Sequence, residues 1–336
     1  MRLRRALSQR ISLRPDPHKT VSMLSNQLHD PSISKLVEDS CRLADGAYIE
    51  TNAYDNSSSI ALLPVASQWV CNPVHAYLIR NATTHLGTGT VYLADSDQYF
   101  VESSWGWGKY RTLSPRSYRK RRAIKIVSKR PVYIFSSSGY HGIVEDLAAI
   151  LKLLDFGYQF NVVIDPSDRW MNGLLDLFLP TNLDRIEVAR GSWVNASKTF
   201  AVTKSAFGEF VNPDMIKTLN KAGREYGEGA HTKDIFIARA DSYKRQFNTE
   251  RLENRYRNLG YETVILGEMK VRDQVSLFRS ARRVAGMHGA GFVNLLWSDP
   301  GVCVNEYYHH SHFNSCYFAL SHHLAHVYAC HLMSGA

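Results

Sequence analysis

Apolar and polar positions are patterned most clearly in the second half of the chain. "RPVYIFSS" is a short apolar run of the length a buried strand needs, and it leads through "SGYHG" into "IVEDLAAILKLLDFG". There Val144, Leu147, Ala148, Leu151 and Leu154 recur at helical spacing, and Gly157 supplies a stop. "QFNVVIDP" predicts the next strand. Strand, glycine-bearing turn, helix and strand form a βαβ unit, which calls for a parallel sheet with helices on its faces.

The pattern restarts after "EYGEGAHTK", a polar stretch read as a linker. "DIFIARA" predicts a strand, "NTERLENRYRNLG" an amphipathic helix stopped by Gly260, "YETVILG" a strand and "VRDQVSLFRSA" a helix. "RRVAGMHGAG" runs as a strand into a glycine turn, followed by a short helix in "FVNLLWSDP", a strand in "VCVNEYY" and a last helix over "FNSCYFALSHHLAHVY". Upstream, "GTVYLADSDQYFVESSWGWG" alternates and turns as β-hairpins do, and one helix is expected near "PSISKLVEDSCRLA". The expectation is an α/β protein of two Rossmann-like lobes with a cleft between them. The first lobe spans residues 1–225, with hairpins over 85–114 and its α/β part from 131; the second spans 226–336.

Composition limits the classes open to such a chain. Its 336 residues are 44% apolar and 21% charged, ordinary values for a globular protein with room for two domains. No apolar run reaches the 18 or so residues of a membrane span, and the basic start lacks the apolar stretch of a secretory signal. The five cysteines are scattered with no CxxC pair, which suits a reducing, cytoplasmic setting. The net charge of +9 is concentrated near the start and over residues 116–130. Such clusters suit anionic partners, and peripheral contact with an acidic membrane surface is expected more than nucleic-acid binding.

The candidate chemistry centres on "GMHGAGFVN". Ligands of open parallel sheets sit beyond the carboxyl ends of strands, where turns enter helices. Gly289 and Gly291 allow close backbone approach, and the N–H groups opening the "FVNLLW" helix face where an anion would lie. His288 and Asn294 add side-chain hydrogen bonds. Past the end of "DIFIA" come Arg239, Lys244, Arg245 and Asn248, suited to a diphosphate because guanidinium forks make paired charge-assisted bonds. Glu306, after "VCVN", is placed to accept ribose hydroxyls. Together these residues describe a pocket for a nucleoside diphosphate.

The stretches "IFIARADSYKRQFNTERLENRYRNLGYETV", "DQVSLFRSARRVAGMHGAGFVNLLWSDPGVCVNEYY" and "HHLAHVYAC" resemble the C-terminal half of glycosyltransferase family 61, most specifically over residues 234–307. Arg239, Asp241, Lys244, Arg245, Asn248, Gln274, His288, Gly289, Ala290, Gly291, Asn294 and Glu306 match the family pattern; Val293 departs from it, where a threonine is usual. The resemblance implies a GT-B arrangement and an inverting transfer from a nucleotide-diphosphate sugar, UDP-linked, to a hydroxyl of a glycan, lipid-linked glycan or protein. It implies no cofactor beyond that co-substrate and no essential metal, with basic side chains and a helix start stabilising the leaving diphosphate. A non-catalytic nucleotide- or glycan-binding protein on the same fold is the rival reading.

Inverting transfer needs a group to take the acceptor's proton. The resemblance places it in "GYHGIVED", with Glu145 or Asp146 as base and His141 as a substrate contact or as the base itself. Asp95-Ser96-Asp97 is read as a hairpin tip rather than a metal-binding pair. His322 and His326, four apart on the expected last helix, have ligand-compatible spacing but no carboxylate or cysteine to complete a set. An esterase reading of "HGAG" fails because the chain has no G-x-S-x-G turn.

Overall fold

The computed structural model describes residues 35–50, 68–93, 98–104, 123–204, 211–227, 229–239, 249–309 and 314–333. Six strands, β1 (Val37–Ala44), β2 (Val74–Arg80), β3 (Val132–Ile134), β4 (Asn161–Ile164), β5 (Arg185–Glu187) and β6 (Lys198–Val202), form one sheet in the order β1-β2-β6-β3-β4-β5. Its β6-β3-β4-β5 part is parallel, as the βαβ pattern requires, and β2 and β1 add antiparallel strands at the edge. The helix expected near "PSISKLVEDSCRLA" is a correction: its described part is β1, paired with β2 from Val37↔Ile79 to Ala44↔Val74. Pairing to an existing strand outweighs a local helical preference of a few tenths of a kcal/mol per residue.

The crossover from β3 to β4 is α1, one continuous run through Gly139–His141, Gly142–Leu147 and Ala148–Asp155. Its apolar face, including Val144, Leu147, Ala148 and Leu153, is fully buried, and its middle six residues close wider π-type turns. Next come α2 (Arg169–Phe178), capped by Asp168 accepting from the Met171 N–H at 3.1 Å, and α3 (Pro213–Gly223), capped by Asn212 accepting from the Asp214 N–H at 2.9 Å. A separate five-stranded sheet gathers Gln98–Phe100, Val91–Leu93, Thr83–His85, Trp193–Ala196 and Ile124–Ile126 in that order. The expected hairpin is there, with Val91 facing Phe100.

The second half forms an all-parallel sheet from β7 (Lys233–Ile237), β8 (Glu262–Val264), β9 (Ala281–Met287), β10 (Cys303–His309) and β11 (Val327–Met333), in the order β8-β7-β9-β10-β11. Between them run α4 (Glu250–Asn258), α5 (Val271–Arg279), a 3-10 segment at Ala290–Trp297 and α6 (Cys316–His323). The final helix is shorter than expected. It stops at His323, Ala325 turns the chain at φ 55°, and β11 pairs with β10 from Cys303↔Val327 to His309↔Met333. His322 and His326 therefore do not share a helix face.

Helices from the two halves meet in a common layer. Asn220 on α3 donates to the carbonyls of Leu296 and Ser298, both at 2.8 Å. Trp297 stacks on Phe178 of α2 at 4.9 Å, and Trp170 donates to Gln274 of α5 at 3.4 Å. No helix among the described residues is long and apolar enough to cross a membrane.

Two histidines at the end of this layer make stability depend on pH. Burial lowers His323 and His326 to about 4 each. Both are neutral in the folded chain where the unfolded chain binds protons, so stability falls as pH drops from about 6.5 toward 4. We expect a loss on the order of 2–3 kcal/mol per histidine at the acid end. Urea unfolding across that range measures it, and His326→Gln should flatten the slope; an unchanged slope would count against burial as the cause.

Candidate active site

The six-stranded sheet and the all-parallel sheet each have a point where their connections diverge, and open parallel sheets bind ligands beyond the carboxyl ends of the strands at such points. In the first sheet β6 returns to the far side of β3, so the turns after β3 and β6 meet. Lys204, just past β6, reaches Asp146 Oδ1 at 2.7 Å, Ser136 Oγ at 2.7 Å and Ser137 Oγ at 3.3 Å. Asp146 is fully buried and also accepts from the Tyr133 hydroxyl (2.8 Å), the Ser136 N–H (3.2 Å) and Oγ (3.3 Å), and the Ser137 N–H (2.9 Å). Burial first, and then the Asp146 charge, push the Tyr133 phenol well above its usual range. Asp146 thus ties α1 to the β3 turn with both oxygens engaged.

Glu145, its neighbour, is directed elsewhere. Its Oε2 lies 3.6 Å from His141 Nδ1 across one turn of α1. Wide turns of this kind are over-represented at functional sites, and here the π-type closure accompanies two adjacent carboxylates with different partners. The turn also depends on Gly142: a Cβ there would stand 2.5 Å from Met171 Cε and 3.0 Å from the Ser137 carbonyl. A side chain there would push the Met171 thioether aside and crowd the Ser137 carbonyl, so glycine eases the approach of α1 to α2 and the β3 turn.

In the second sheet the switch point falls between β7 and β9, and Arg239 and His288 follow those strands. Arg239 Nη1 donates to the His288 carbonyl at 2.5 Å. Gly289, extended at φ 171°, leaves room for that guanidinium, since a Cβ there would sit 3.2 Å from Arg239 Cζ. The His288 ring is 9% exposed, packs over Tyr308 at 5.0 Å, and places Nδ1 2.5 Å from Glu306 Oε1. Glu306 is completely buried, and its Oε2 accepts from the Tyr308 hydroxyl at 2.9 Å and the Tyr328 hydroxyl at 2.5 Å. Burial, followed by the Glu306 charge, pushes both phenols far above their ordinary range. Both Glu306 oxygens therefore face protein donors, a different environment from the ribose contact expected from position alone.

Asn294 is likewise engaged inside the protein. It donates to Gln274 Oε1 and the Gly291 carbonyl, both at 3.2 Å, and accepts from the Trp297 indole at 3.0 Å. Gly291 is packed: a Cβ there would meet Leu266 Cδ1 at 2.9 Å and Ile237 Cγ2 at 3.0 Å. Ala290 opens the 3-10 segment. Lys244, Arg245 and Asn248, with Asp241 and the Asp95–Asp97 stretch, lie outside the described residues.

The two turns converge through aromatic rings. His288 lies 5.5 Å from Tyr317 on α6, Tyr317 lies 5.6 Å from Tyr140, and Tyr140 lies 5.2 Å from His141. His141 in the first turn of α1 and His288 just past β9 are thus joined by two tyrosines. Lys204, Tyr308, Tyr317 and Tyr328 were not singled out by sequence reasoning. A signal existed for Tyr308, which falls two residues after Glu306 on β10 and so on the same face.

The family described as Glycosyltransferase 61 matches residues 90–305, and the chain belongs to that family. Membership makes it a glycosyltransferase, an enzyme that moves a sugar from a donor to a glycoconjugate acceptor. No curated protein matches the sequence.

Proposed function

We propose that this glycosyltransferase is an inverting, GT-B-type enzyme that moves a sugar from a UDP-linked donor to a hydroxyl of a glycan, lipid-linked glycan or protein. Its lobes are residues 1–225, on the acceptor side, and 226–336, which hold the nucleotide sugar. The observation that carries the reading is the approach of the His141 turn to the His288 turn through Tyr140 and Tyr317. One supplies a proton acceptor and the other a diphosphate site.

Asp146 is spent on five donors, so the base is His141, with the Glu145 carboxylate, 3.6 Å from Nδ1, steadying the imidazolium by its charge. The acceptor oxygen attacks the anomeric carbon on the face opposite the diphosphate. Its bond to that carbon forms as the carbon–oxygen bond to the β-phosphate breaks, the acceptor proton passes to His141 Nε2, and UDP leaves with the bonding pair. Charge on the leaving diphosphate is met by Arg239, Lys244, Arg245 and Asn248 and by the N–H groups at Gly289, Ala290 and Gly291, which need no metal. Glu306 fixes Nδ1 of His288 and so aims Nε2 at the phosphates. Asn294 keeps the 3-10 segment in place. The setting is cytoplasmic, with the basic clusters lying against an acidic membrane surface.

Calorimetric titration with UDP tests the donor site. Wild-type protein should bind UDP, and Arg239→Ala and His288→Ala should each weaken binding about tenfold or more, as loss of a charge-assisted bond does. Equal affinity in all three proteins sinks the assignment. Binding with no turnover of any UDP-sugar would favour the non-catalytic rival.

A further inference from the structure

We propose that the free edge of β11 is a self-association surface, on which a second copy of this chain adds its own β11 antiparallel across a two-fold axis at Cys330. β11 ends the second-half sheet, and no described strand pairs with its outer side. An unpaired strand edge invites another strand, so most proteins guard theirs with charge or proline. The outer strands β1, β5 and β8 are guarded in this way: β1 carries Glu38, Asp39 and Arg42, β5 carries Arg185 and Glu187, and β8 carries Glu262. β11, "VYACHLM", is seven residues long and has no proline, lysine, arginine or carboxylate. Burial, and then the Arg255 charge, lower His331, and burial pushes the Cys330 thiol up to about 11, so the strand is uncharged at neutral pH. Val327 and Leu332, 63% and 41% exposed, are two of the six large apolar side chains left exposed among the described residues.

The backbone decides how a strand can fit there. The Val327 N–H donates to the Val302 carbonyl at 2.9 Å, so Val327, Ala329, His331 and Met333 turn their peptide groups toward β10. Tyr328, Cys330 and Leu332 turn theirs outward, and these three are symmetric about Cys330. An antiparallel copy centred there sets every outward-facing residue against another: Tyr328 against the partner's Leu332, Cys330 against the partner's Cys330, and Leu332 against the partner's Tyr328. Such narrow pairs exchange two hydrogen bonds each, about six in all. The side chains match as well. Val327 meets the partner's Met333, Ala329 meets the partner's His331, and no like charges are brought face to face, which a strand bearing one charge at its centre could not achieve with its own copy. Pairing also fastens the strand from which Tyr328 donates to Glu306, so the second copy steadies the carboxylate that holds His288.

Sedimentation velocity of the full chain from about 1 to 100 µM tests the pairing, and the wild type should pass from monomer to dimer across that range. Leu332→Pro removes an outward N–H that no bond within the protomer uses, and Leu332→Lys puts a charge on the edge. Each should weaken association about tenfold or more while the circular dichroism of the folded chain is kept. Should the proline variant fail to fold, the lysine variant decides alone. A wild type still monomeric at about 100 µM overturns the proposal and leaves the edge to another segment of this chain or to another protein. A dimer that both variants leave within about twofold of wild type also overturns it, because a different surface then holds the copies together. A dimer lost with lysine but kept with proline overturns the strand pairing itself.

Discussion

His141→Ala is expected to lower sugar transfer by about 100- to 10,000-fold while UDP affinity stays within about twofold, the range for loss of a positioned general base. Of the three groups on the α1 turn, Asp146 is enclosed by the Lys204 ammonium, two serines and Tyr133, and cannot receive a proton without breaking that set. Glu145 lies beside His141 Nδ1, which leaves the imidazole Nε2 as the atom able to face an acceptor. Glu145→Gln should then reduce kcat by a smaller factor, because the imidazole remains while the negative charge that steadies its protonated form is lost. Turnover by His141→Ala within about threefold of wild type would refute the assignment, and a Glu145→Gln loss exceeding it would move the base to the carboxylate.

The largest effect on stability is expected at the pair beneath that turn. Lys204 and Asp146 are 6% and 0% exposed, and their ion pair spans 2.7 Å. Removing one partner of a buried pair strands the other, so Asp146→Ala should cost about 3–5 kcal/mol in urea unfolding. Replacing both, as Asp146→Leu with Lys204→Met, should recover much of that loss, since the desolvation penalty of both charges disappears together. If Asp146→Ala cost less than about 1 kcal/mol, the pair would not be holding the turn. The double variant should still transfer sugar poorly, because the Ser136 and Ser137 N–H groups lose the carboxylate that shapes the turn under His141.

Much of the candidate site was legible in the sequence. Arg239, His288, Gly289 and Gly291 stand at strand ends that local pattern locates well, and the structure brings Arg239 onto the His288 carbonyl. The partners of Glu306 were not legible. A glutamate after a strand reads as exposed and ligand-facing, whereas β10 is flanked by β9 and β11, and Tyr328 reaches Glu306 from the neighbouring strand. The different surroundings of Glu145 and Asp146 were equally out of reach, because they depend on a π-type turn and on Lys204, 58 residues further along.

From its sequence alone the chain was already committed to α/β architecture: two runs of strand, glycine turn and helix, a glycine-rich strand end carrying His288, and the pattern of one glycosyltransferase family. Those properties follow from residues close together in the chain, where side-chain period and backbone freedom decide the outcome. Tertiary structure decided what depends on distant neighbours. It made residues 37–44 a strand, ended α6 at His323 so that β11 could pair with β10, enclosed Asp146 and Glu306, and set His141 and His288 on either side of two tyrosines. A carboxylate's role is set by whichever donors the fold delivers to it, and those donors arrive from other strands and helices.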